Sequence, residues 1–158
     1  MQECVSFKFL EKCWYDNYKE KGEYLDPNCD KAIAMEKFKE ERENPNNYYF
    51  YIYRNNDAIG YFRVSMDIEE KAKNYVDYLI TDFYITPKER GYNFARKAIK
   101  SIIKKGKYSY GFVIPDENRK MRKIVKNAAE DLDKKLIQSS GQYPEYSSSK
   151  LYIINNRG

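Results

Sequence analysis

The stretch from Ile80 to Lys104 constrains this chain more than any other, because it switches backbone type twice within a short span. Ile80-Thr81-Asp82-Phe83-Tyr84-Ile85 is an aromatic and β-branched run, hence a strand, and Thr86-Pro87 stops it. The basic turn Lys88-Glu89-Arg90-Gly91-Tyr92-Asn93-Phe94-Ala95 follows and opens into a helix predicted over 91–104. That helix is amphipathic, with Phe94, Ala95, Ala98, Ile99, Ile102 and Ile103 on one face and Arg96, Lys97, Lys100 and Lys104 on the other. A tight turn at a helix start points unpaired backbone N–H groups outward, and the helix dipole adds partial positive charge. That geometry suits phosphate.

The remaining elements follow from periodicity. Phe7, Leu10, Trp14 and Tyr18 share a helical face over 6–21, with Gly22 as the expected stop. Asp30 is placed to cap a second helix over 31–43, which Asn44-Pro45-Asn46-Asn47 breaks. Strands are predicted over 48–53 and 58–66, joined by a hairpin turn at Asn55-Asn56-Asp57, with Gly60 marking a bulge or a close backbone approach. A charged loop over 67–74 precedes a third strand over 75–85. Beyond the amphipathic helix come a strand over 108–114 ended by Pro115, a helix over 118–127, and strands near Leu136-Ile137 and over 151–154. The sum is a mixed α/β fold, one domain over 1–158, with no internal repeat or linker.

Composition removes several chemistries. The chain has no histidine, so Ser-His-Asp and Cys-His catalysis and any histidine base are excluded. Cys4, Cys13 and Cys29 form neither a disulfide framework nor a Cys-x-x-Cys pair, so no metal is expected. No apolar run approaches a membrane span, and Met1-Gln2-Glu3-Cys4 lacks the basic start of a secretory signal, so a cytoplasmic location is expected. The 17 tyrosines match a general Tyr, Lys, Asn and Ile bias and need no functional account. The net charge is only +5, yet 88–126 holds 13 basic residues against Glu89, Asp116 and Glu117. Such a segment is a solvated face, a site for a phosphorylated ligand, or a nucleic-acid surface built on Arg96, Lys97, Lys100, Arg119, Lys120, Arg122 and Lys123. The last reading is disfavoured, since no helix-turn-helix or RNA-recognition motif is visible.

The order of elements, with Phe83-Tyr84-Ile85-Thr86-Pro87 leading into Arg90-Gly91-Tyr92-Asn93-Phe94-Ala95, resembles the GNAT superfamily of N-acetyltransferases over nearly the whole chain. The resemblance implies a mostly antiparallel central sheet with flanking helices. It implies acetyl-coenzyme A as co-substrate and an amine-bearing acceptor, a small molecule or a protein. Arg90, Gly91 and Ala95 fit the family's phosphate turn, while Asn93 stands where a glycine is usual. Asn is among the few residues besides glycine that enter the left-handed region at low cost. The coenzyme-binding set is then Tyr84, Ile85, Arg90, Gly91, Tyr92, Asn93, Phe94, Ala95, Arg96 and Asn118. Backbone N–H groups from Tyr92 to Arg96 would cradle a pyrophosphate. The frayed Tyr84-Ile85 strand end, splayed from the 108–114 strand, would meet the pantetheine arm.

Asn118 matches the residue that often opens the next helix in the family, but the tyrosine expected seven residues later, the acid for the departing thiolate, is here Val125. The protein is therefore either an N-acyltransferase with another proton donor or an acyl-coenzyme A binding protein of weak or no activity. Asp82, on the central strand, is the candidate general base, with a structural ion pair to a nearby Lys or Arg as the alternative. Tyr84 has the opposite strand parity from Phe83 and Ile85. Acceptor recognition is expected from the N-terminal helices, where Glu36, Glu40, Glu41 and Glu43 would make an acidic rim, and from the Tyr143-Pro144-Glu145-Tyr146 loop, which would close over a substrate or serve a homodimer.

Overall fold

A computed structural model describes residues 2–25, 30–104, 106–139 and 149–156. Its elements run α1 (Gln2–Leu25), α2 (Lys31–Glu43), β1 (Asn47–Arg54), β2 (Asp57–Ser65), β3 (Tyr78–Ile85), α3 (Phe94–Lys104), β4 (Ser109–Pro115), α4 (Arg119–Asp131), β5 (Leu136–Gln138) and β6 (Ser149–Asn155), with 3₁₀ turns at Glu70–Ala72 and Pro87–Glu89. The strands form one sheet in the order β1-β2-β3-β4-β6-β5. Every pairing is antiparallel except β3 with β4. The expected mixed, mostly antiparallel α/β architecture is therefore present.

Helices cover both faces. On one, Leu10, Cys13 and Trp14 of α1 and Ala34 and Phe38 of α2 pack on Tyr61 and Tyr84. On the other, Ile99 and Ile103 of α3 and Val125, Ala128 and Ala129 of α4 pack on Ile80, Tyr110, Phe112 and Ile154. Burial on this scale is the dominant favourable term in folding. Glu41 shows how the first layer is pinned. Its carboxylate accepts hydrogen bonds from Trp14 Nε1 at 3.1 Å and from the Tyr49 hydroxyl, and it pairs with Arg63 at 2.8 Å. The expected acidic rim thus loses one member to a structural role.

Four boundaries differ from the periodic reading. Helix α1 runs straight through Gly22, because a glycine costs only about 1 kcal/mol in a helix and the packed face continues to Lys21. Strand β3 begins at Tyr78 rather than Tyr75, since the N–H groups of Tyr75 and Val76 turn back to the Ala72 carbonyl. Helix α3 begins at Phe94, because Gly91 and Asn93 have φ values of 89° and 64°. Helix α4 runs on to Asp131, past the expected 127. Asp30 caps α2 as expected, accepting from Ala32 N at 2.8 Å. The Tyr143-to-Tyr146 loop and the dimer surface attached to it lie outside the described residues.

Candidate active site

The parallel pairing of β3 with β4 covers only Tyr78 to Ile80 against Tyr110 to Phe112. Both strands continue, β3 to Ile85 and β4 to Pro115, so they part and leave a gap. On its other side β3 stays bonded to β2, with Ile85 opposite Gly60 and Tyr84 opposite Tyr61. Thr86 N–H donates to Ile59 O at 2.9 Å, which makes Ile85 and Gly60 a non-hydrogen-bonded pair. The N–H and C=O of Ile85 therefore point into the gap, whereas those of Tyr84 point to β2. A Cβ at Gly60 would collide with the Tyr84 carbonyl, so this position needs glycine. The close approach expected at Gly60 is real.

A cleft of about 300 Å³ opens at the parting. Of the residues expected to hold the coenzyme, Tyr84, Ile85, Arg90, Gly91, Asn93, Phe94, Ala95, Arg96 and Asn118 all line it. Tyr92 does not: its ring is 64% exposed and leans on Phe94. The turn explains the convergence. Asn93 takes the left-handed conformation that its glycine-like position demands, and its carbonyl accepts the first helical bond, from Lys97 N at 3.0 Å. The N–H groups of Phe94, Ala95 and Arg96 precede that bond and have no carbonyl one turn back. A Cβ placed on Gly91 would meet nothing within 4 Å, so the approach to these groups is open. Asn118 caps α4 beside them, accepting from Met121 N at 3.1 Å. Backbone donors, the α3 dipole and the ammonium of lining Lys120 fit a phosphorylated ligand.

Arg90 of the turn and Arg96 and Lys100 of α3 are committed elsewhere. Arg90 donates through Nε to Ile85 O at 2.7 Å and through Nη2 to both oxygens of Glu20 at 3.0 and 3.1 Å. Its guanidinium also lies 5.1 Å over the Tyr84 ring. Arg96 and Lys100 converge on Asp131, so two cations that a nucleic-acid surface would need free are neutralised within the fold. Glu89, an acid on the cleft wall, is matched by two hydrogen bonds from Arg54.

The face toward α1 and α2 carries Tyr84 and Asp82. Tyr84 packs there while Phe83 and Ile85 pack toward α3, as the strand parity required. Burial, then the Glu20 charge, raises the Tyr84 phenol to about 12, so it keeps its proton. Asp82 points to the same face, but it does not line the cleft. It is buried under Lys21, whose Nζ lies 2.7 Å from Oδ1. Burial pushes its carboxyl up, but the charges of Lys21 and Arg63 and hydrogen bonds from Lys21 and Tyr61 prevail, holding it below the usual carboxylate range. Val125 is fully buried in the core under α4 and faces away from the cleft. Among the cleft residues that the sequence reading did not assign are Asn17 and Glu20 of α1. Asn17 stands seven residues after Leu10 and three after Trp14, on the buried stripe, and an amide in an apolar stripe was the available signal.

The sequence profile of the Acetyltransferase (GNAT) family matches residues 7–123, well over half the chain. The chain belongs to the GNAT acetyltransferase family. Solved structures share the fold at low identity. An acetyltransferase from Thermus thermophilus superposes with a TM-score of 0.60 at 12% identity, over 91% of this chain and 86% of its own. Spermidine N-acetyltransferase from Vibrio cholerae, solved with CoA and spermine, gives 0.56 at 11% over 93% and 86%. PaiA N-acetyltransferase from Thermoplasma acidophilum, solved with coenzyme A, gives 0.57 at 11% over 94% and 91%. No curated protein sequence matches the chain significantly. Among the described residues no group of acidic or cysteine side chains is arranged to hold a metal, and no helix is long and apolar enough to cross a membrane.

Proposed function

We propose that this GNAT family member transfers an acetyl group from acetyl-coenzyme A to a primary amine, acting as one domain. The observation that carries the reading is the parting of β3 and β4 directly in front of the Gly91-to-Arg96 turn. A thioester held along β3 with its phosphates on the α3 amides would present its acetyl group toward α1. The amine nitrogen attacks the thioester carbonyl carbon, a C–N bond forms, the C–S bond breaks, and the thiolate leaves with the electron pair. The amine must lose a proton, and the thiolate must gain one.

Asp82 is the proton acceptor on this reading. It stays ionised through neutral pH, and because it lies beneath the cleft the proton reaches it through water. Tyr84 is the donor, being the one hydroxyl-bearing side chain that lines the cleft among the described residues. Neighbours solved with CoA, one of them also with spermine, support an amine acceptor. Isothermal titration with acetyl-coenzyme A tests the reading, and a folded protein that gives no heat at millimolar ligand would refute it.

The full burial of Val125 favours a second reading, an acyl-coenzyme A binding protein without efficient transfer. Coenzyme binding with no acetylated product from any primary amine would select it.

A further inference from the structure

Asn17 is an amide at 8% exposure in the wall of the cleft, on the α1 side where an acceptor would enter. Its Nδ2 donates to the Tyr61 hydroxyl at 3.2 Å, and Tyr61 is its hydrogen-bond partner among the described residues. That bond turns the NH₂ inward and leaves the carbonyl Oδ1, which can only accept, as the polar atom that Asn17 can offer the cleft.

We propose that Asn17 is the acceptor-binding residue of this site: its Oδ1 accepts an N–H of the incoming primary amine, and Tyr61 is a positioning residue that holds the amide in that sense. The proposal rests on the acetyltransfer reading above and deepens it. A neutral oxygen acceptor set in a wall whose two carboxylates, Glu20 and Glu89, are already paired to Arg90 and Arg54 selects for N–H donors. It also leaves the attacking nitrogen lone pair free, because the bond uses a hydrogen of the amine.

The test separates the two layers. Calorimetry with coenzyme A comes first, and its failure refutes the acetyltransfer reading alone. On the coenzyme-saturated, ¹⁵N-labelled protein, ethylammonium chloride is then titrated while the Asn17 side-chain NH₂ correlations are followed. Tetramethylammonium chloride, equally charged but without N–H, is the control. The expected result is a saturable shift with ethylammonium and none with the control. Tyr61→Phe should weaken ethylammonium binding roughly tenfold, the scale of one hydrogen bond, with coenzyme affinity unchanged. Asn17→Asp placed in the Tyr61→Phe background should restore it, because a carboxylate offers oxygen whichever way it turns. Silence of the Asn17 resonances to ethylammonium, an equal response to tetramethylammonium, or no rescue by Asn17→Asp would overturn the proposal.

Discussion

Asn93 is the residue on which the phosphate turn depends, and replacing it with valine isolates that dependence. Its φ of 64° lies in the left-handed region, where an ordinary side chain crowds the following carbonyl. That crowding costs about 1–2 kcal/mol, and a β-branched residue stands at the upper end. For a chain of this size the loss corresponds to a fall in melting temperature of roughly 2–8 °C. The second consequence is larger. If the substituted valine relaxes to negative φ, the N–H groups of Phe94, Ala95 and Arg96 no longer converge, and each hydrogen bond to a charged phosphate contributes about 1.5–3 kcal/mol. Losing one weakens acetyl-coenzyme A roughly 10- to 150-fold. Asn93→Gly is the control, since glycine enters this region freely, and it should bind as the native protein does. Differential scanning calorimetry and isothermal titration read both effects. Native affinity in Asn93→Val, or an equal loss in Asn93→Gly, would refute the reasoning.

Three further outcomes are expected. Ala95→Glu should abolish acetyl-coenzyme A binding in a protein that still melts cooperatively, because a carboxylate at the start of α3 fills the cleft and repels phosphate; normal titration heats would misplace the turn. Once an acceptor is found, Asp82→Asn should lower turnover by roughly 10²-fold with little change in coenzyme affinity, and the acidic limb of the native rate profile should fall below the usual carboxylate range; near-native turnover would move the base elsewhere. Asp131 is held down to about 2, first by its Arg96 hydrogen bond and then by Lys100, from an ordinary 3.8. A depressed carboxyl stabilises the fold above its unfolded pKa and loses that contribution as pH falls through the folded one, so acid unfolding between about pH 4 and pH 2 should be shallower in Asp131→Asn, and an unchanged acid transition would contradict it.

Much of the architecture was legible because it is written in local rules. The strand ending at Pro87, the Asp30 cap, and the left-handed tolerance of Asn93 are each decided by a few neighbouring residues, and each stands in the structure as read. The same rules gathered Gly91, Asn93, Phe94, Ala95 and Arg96 at one place, since a turn and the helix it opens are contiguous in the chain. They failed where long-range contacts compete with local preference: packing carried α1 through Gly22, and the left-handed pair at Gly91 and Asn93 delayed α3 to Phe94. Sequence also could not show what faces the cleft from elsewhere. Glu20 reaches Arg90 across a separation of 70 residues, and Lys21 covers Asp82 across 61. A side chain's partner is fixed by the approach of distant elements, here α1 across β3. So the chain by itself determined the turn and the helix start around which the cleft is built, and only the tertiary structure decided that Asp82 lies beneath the cleft, that Val125 belongs to the core, and that an amide from the first helix lines the cleft.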